Sequence, residues 1–191
     1  MTIAHGSIFS DSGADWTDNF DGAAHLSIAS SGTVDTSTLG TYTLEYTYTD
    51  VAGNIGNTVT RSVTVTDQTT PVVVLQGSGT VSIPQSSLYT DDGASWTDNI
   101  DGTGTIDPAS SGTVDTSTLG TYTLEYNYTD VAGNIGNTVT RSITVTDATP
   151  PVVTLSGSAN MTIAHGGIYT ESGAAWTDTI DGSGVILTPV T

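Results

Sequence analysis

The sequence predicts an all-β protein made of two-layer β-sandwich domains arranged end to end. Three observations carry this expectation. Two runs alternate strictly: Tyr122, Leu124, Tyr126 and Tyr128 fall on one side of their segment, and Val139, Arg141, Ile143 and Val145 on one side of theirs. A period of two in Tyr, Val, Ile and Thr is the mark of half-buried strands, and no helix can use it. Trp16, Trp96 and Trp176 stand 80 residues apart inside one recurring pattern, Gly-Ala-x-Trp-Thr-Asp, which marks a tandem repeat. The chain is acidic, yet only 12% of its residues are charged, and Thr, Ser, Val and Gly fill the rest, a β rather than a disordered composition.

The repeat is clearest where its copies are nearly identical. Residues 31–67 return as 111–147 with two changes, Thr47 for Asn127 and Val63 for Ile143, whereas the preceding halves have diverged. Each copy opens at a proline-bearing linker (Pro71; Pro150 and Pro151), where proline restricts the chain and cannot donate to a central strand. This phasing gives residues 1–67 as a repeat lacking its first strand, 68–147 as a complete repeat, and 148–191 as the first half of another. Within the complete repeat, strands are expected at 72–75, 80–83, 87–90, 94–97, 104–106, 112–115, 121–129 and 137–146. Several short strands with turn signals in about 80–100 residues suggest a sandwich. Between the last two strands lies TDVAGNIG, whose Asp, Gly and Asn form turns, so the pair reads as a hairpin.

Charge and composition exclude several partners. The net charge is −18, lysine is absent, and Arg61 and Arg141 are the only basic residues apart from histidine. A phosphate-binding surface needs basic groups in number, so nucleic acid and polybasic membrane contact are not expected. No apolar run approaches the roughly 18 residues that a membrane span needs. With no cysteine, disulfides, thiol catalysis and thiolate metal sites are closed. MTIAHGSIFS carries no signal-peptide features, so this stretch holds no export address.

The segment SGTVDTSTLGTYTLEYNYTDVAGNIGNTVTRSITVTD, preceded by YTDDGASWTDNIDG, resembles the bacterial surface-protein Ig-like repeat. The likeness rests on the D-x-x-G-N turn, the Leu-Gly-x-Tyr strand entry and the terminal R-x-V/I-x-V strand. Leu119-Gly120-Thr121-Tyr122 is also similar to the tyrosine corner of Ig domains, with Leu124 where antibody domains carry cysteine. The resemblance implies tandem Ig-like sandwiches outside the cell, in a spacer or adhesive role, with no catalytic residues.

Two sets of aspartates are candidate metal ligands. Asp18 and Asp21, Asp98 and Asp101, and Asp178 and Asp181 each flank a Gly-ended turn, and hard oxygen ligands suit calcium. The competing account is an Asx turn, in which the first Asp bonds local backbone amides. Asp67 and Asp147 form the second set. In an Ig-type sandwich the loop between the last two strands lies at the end where the chain enters, so Asp67 should approach 130–134, and a cation there would stiffen the joint. Asp130 and Asn134 could equally just close their hairpin. Uncompensated negative charge recruits cations whichever loop is used.

The remaining polar features read as structure. Arg61 and Arg141 share a strand face with valines and should be held by a carboxylate or by backbone carbonyls. Tyr42, Tyr46 and Tyr48 could pass for a sugar platform but are expected in the core, with the tryptophans as core plugs. His5, His25 and His165 are tied to no hydrolase motif, and a carboxylate pair repeated in every copy suits a structural element better than an active site. The expected function is therefore non-enzymatic, and the resemblance implies an extracellular spacer in a large bacterial adhesin or surface filament, with calcium as the candidate cofactor. Neighbouring repeats are the expected partners, and a tail strand completing another molecule's head would permit head-to-tail self-assembly. The alternatives are a glycan- or protein-binding module using loops 23–27 and 103–107, or an ancillary domain of a secreted hydrolase. The adhesion target is not encoded in any motif.

Overall fold

In a computed structural model, which describes residues 1–186, the chain is all-β, with no helix among the described residues. Residues 187–191 of the expected third repeat lie outside the described residues. The strands are β1 (Thr2–Ala4), β2 (Ala14–Asp18), β3 (Gly22–Leu26), β4 (Gly40–Tyr46), β5 (Val59–Thr66), β6 (Val72–Leu75) and β7 (Thr80–Pro84). They continue as β8 (Ala94–Asp98), β9 (Gly102–Ile106), β10 (Gly120–Tyr126), β11 (Val139–Thr146), β12 (Val152–Leu155), β13 (Ala174–Asp178) and β14 (Gly182–Ile186). They gather into two compact units. The first comprises Met1–Gln76, Gly93–Asp107 and Tyr126–Val139; the second comprises Gly77–Asp92, Pro108–Glu125 and the chain from Thr140 onward.

The first unit contains the whole first repeat as two layers. In one, β5 pairs antiparallel with β4 and parallel with β1; in the other, β2 and β3 form an antiparallel hairpin. A parallel pair needs a crossover, which the chain makes by leaving β1 for β2 in the opposite layer. Alternation decides what is buried: Leu44 and Tyr46 of β4 and Val63 and Val65 of β5 are almost fully enclosed, while Thr43 and Glu45 face out. Arg61 shares that inner face and bridges the layers, pairing with Asp11 and donating from Nη2 to the Gly13 carbonyl at 2.8 Å. The first unit also holds the sheet β6-β8-β9, with Val73 and Ala94 buried.

The second unit holds the sheet β10-β11-β7, except for the last residue of β10 and the first of β11, and the sheet β12-β13-β14. Leu124, Ile143 and Val145 are its buried apolar residues, and Arg141, 1% exposed, donates from Nε to the Ser78 carbonyl and pairs with Asp91. Both arginines are thus held as their strand positions require. The tyrosine corner forms in both copies: Tyr42 Oη donates to the Thr38 carbonyl at 2.8 Å and Tyr122 Oη to that of Thr118 at 2.9 Å.

Four expectations need correction. Residues 87–90 and 112–115 are not strands. Ser87 Oγ donates to the Pro84 carbonyl, offering the backbone a turn instead of a ladder. Gly112 sits at φ +92° against the Thr123 carbonyl, so the chain turns away after the single Ser111–Glu125 bridge. Conversely, most of the supposed loop 23–27 is strand β3, and the stretch 103–107 is mostly β9, as the strand expected at 104–106 implies, because the Asp-led turns before Gly22 and Gly102 close hairpins. Finally, Trp16 and Trp96 are half-buried rather than core plugs. They stack on Tyr48 and Tyr128 at centroid distances of 3.7 and 3.8 Å, nearly parallel.

Candidate functional site

Each aspartate of the repeat first serves the backbone. Asp98 ends β8, and its Oδ1 accepts from the Ile100 and Asp101 amides at 2.8 and 3.0 Å, an Asx turn that starts the β8–β9 hairpin. The Asp101 amide, then that of Ile100, holds the Asp98 carboxyl below the ordinary carboxylate value. The Asp101 Oδ2 accepts from the Val131 amide at 2.7 Å. Asp130 closes the loop between β10 and β11, its two carboxylate oxygens each taking a hydrogen bond of 2.7 Å, from the Asn134 amide and from Asn134 Nδ2. Asp67 follows β5 and accepts from the Thr69 amide through Oδ1, and its carbonyl accepts a long bond of 3.4 Å from Asn134 Nδ2.

These local roles bring three carboxylates together. One oxygen each from Asp67, Asp98 and Asp130 lies within 4.8 Å of the other two, all inside the first unit. Asp67 and Asp130 are 7% and 6% exposed. Asp67 Oδ2 and Asp98 Oδ2 are buried with no hydrogen-bond donor in reach. Two unit charges at that separation repel by roughly 3–4 kcal/mol at an effective dielectric of about 20. Neither arginine relieves this, since Arg61 is engaged by Asp11 and Arg141 by Asp91. The donors are all oxygen, with no histidine or cysteine among them, which suits a hard cation rather than zinc or copper.

The other candidate aspartates are placed differently. Asp147, Asp178 and Asp181 also lie within 4.8 Å of one another, in the second unit, but Asp147 and Asp181 are exposed. Asp147 Oδ1 accepts from the Thr149 hydroxyl and amide, and Asp178 repeats the Asx turn with Ile180 and Asp181. Asp18 caps Phe20 and Asp21 in the same way, and Asp21 Oδ2 takes the Val51 amide at 2.8 Å. No third acidic or histidine ligand joins Asp18 and Asp21 among the described residues. The two candidate sets that the sequence suggested separately, junction and hairpin turn, thus meet at Asp67 and Asp98. Asp130, read from sequence as a loop-closing residue, is the third member. The register between Asp67 and 130–134 was the available signal.

Beside the candidate ligands runs a groove of about 290 Å³ in the first repeat, lined by Trp16, Tyr48, Asn54, Gly56, Asn57 and Val59 among others. The equivalent place in the next repeat takes the incoming chain. Asn137, counterpart of Asn57, binds both the amide and the carbonyl of Val73, at 2.7 and 2.9 Å, and Gly136 lies against the Pro71 carbonyl. The groove therefore has the form of a strand acceptor. His25 and Asp15 form an exposed cross-strand pair on β2–β3 at 2.6 Å.

The family model described as bacterial surface protein, Ig-like domain, matches residues 1–65 and 73–145. No curated protein matches the chain.

Proposed function

The chain belongs to the bacterial surface protein Ig-like domain family, and from that premise we propose that it is an extracellular spacer in a large adhesin or surface filament. The carrying observation is that residues 29–67 and 109–147, the half-repeat with both closing strands and the loop between them, are copied almost without change. A mechanical part is used many times over, whereas a binding or catalytic site needs only one competent copy. The role is non-enzymatic: the recurring carboxylates tie turns and collect cations. Repeats at 1–67, 68–147 and from 148 act as consecutive segments, and calcium limits bending where they join. Small-angle scattering with calcium and then with chelator tests this. A longer maximum dimension in calcium is expected; an unchanged one removes the stiffening.

Head-to-tail self-assembly is a second reading, favoured by the open groove between Trp16 and Asn57, which has the chemistry to accept an extended Pro-Val-Val segment. Against it, β12, the natural donor, is already paired with β13. Sedimentation at rising concentration decides: a constant monomer ends the idea.

A further inference from the structure

Three carboxylates from distant parts of the chain meet in a nearly dry place. Asp67 comes from the linker after β5, Asp98 from the end of β8, and Asp130 from the loop before β11. Four of their six oxygens are spoken for by backbone and Asn134 donors, which fix the carboxylates in position. The other two, Asp67 Oδ2 and Asp98 Oδ2, are buried without a donor. A buried carboxylate oxygen normally finds a donor, and here two members of one cluster fail together. No arginine can be recruited, because both are committed elsewhere.

We propose that Asp67, Asp98 and Asp130 hold a Ca²⁺ ion. One oxygen from each carboxylate begins the all-oxygen shell that Ca²⁺ takes, and its flexible geometry lets water fill the remaining positions. Mg²⁺ dehydrates reluctantly and demands a near-ideal octahedron, which three already hydrogen-bonded carboxylates cannot rearrange to give. The ion cross-links the linker to both turns of the repeat that follows. This deepens the spacer reading and rests on it for its purpose, though not for its chemistry. The Asp147, Asp178 and Asp181 group, exposed and with no orphaned buried oxygen, is not included.

The test is thermal melting and calorimetric titration of the whole 191-residue chain, stripped with chelator, against CaCl₂ and MgCl₂ separately. Calcium is expected to raise Tm saturably and magnesium far less. Asp67→Asn and Asp130→Asn should each weaken the Asp67-site affinity at least about tenfold. Asp67→Asn should also raise the Tm of the stripped protein, because it removes a charge from the cluster while the oxygen that takes the Thr69 amide is kept. Asp181→Asn should keep the full response of the site. No calcium response, a response unchanged in both variants, or an equal one with magnesium overturns the proposal. Scattering on the same samples separates the two ideas: binding without lengthening leaves the site standing and ends the stiffening, and lengthening without binding does the reverse.

Discussion

The residues with most at stake are those whose partners are buried with them. Arg141 is 1% exposed and neutralises Asp91, so Arg141→Ala leaves a carboxylate without its counter-charge. The expected loss is about 3–5 kcal/mol by urea denaturation. Arg61→Ala should cost less, because its side chain is 27% exposed and water can take over part of its work. Asp35 and Asp115 make a pH prediction. The Ser37 and Ser117 hydroxyls, then those of Thr38 and Thr118, lower their pKa values below the ordinary 3.8. A carboxyl depressed in the fold contributes stability in full above its unfolded pKa and loses it as pH falls through the lower folded value. Asp115→Asn should therefore flatten the acid limb of a stability profile below about pH 4 and flatten nothing at pH 7. A profile of unchanged acid slope counts against the turn as drawn.

At the level of elements, packing of one sheet is set by a missing side chain. A Cβ on Gly104 would stand 2.6 Å from Trp96 Nε1, so Gly104→Ala must push the indole off Tyr128. The expected cost is about 1–3 kcal/mol, with the near-ultraviolet circular dichroism of the stacked pair reduced. Unaltered dichroism would show that the ring has room to give. Strands with long alternating side chains, such as β4–β5 and β10–β11, were legible because burial and period agree. Residues 87–90 and 112–115 were not, because their serines, threonines and aspartates find hydrogen bonds in turns as easily as in ladders. The hairpins β2–β3 and β8–β9 were half visible: Asp-x-x-Asp-Gly announced the turn, but the Gly- and Ala-rich strands after it carry little pattern. Asp130 was hidden for a related reason. An aspartate that closes a loop looks the same in sequence whether or not other carboxylates arrive beside it.

For the whole molecule, charge is the dominant fact. A net charge of −18 with both arginines already paired leaves self-repulsion as a standing load on the compact state. Raising monovalent salt from about 0.01 to 1 M shortens the screening length from about 30 to 3 Å, so Tm should rise even in chelator. A flat or falling Tm would mean that the negatives are too dispersed to matter. Family membership was legible from a few motifs, since the tyrosine corner and the arginine strand are local. The meeting of Asp67 with Asp98 and Asp130 is a property of the fold.

The arrangement of the two arginines reaches beyond stability. Enzymes that cut after basic residues find no lysine in this chain, and the two bonds they could attack lie inside β5 and β11. Trypsin must wait for those strands to open, so its cleavage rate reports how often they do. Against proteases of that specificity, survival is a matter of strand opening rather than of loop trimming.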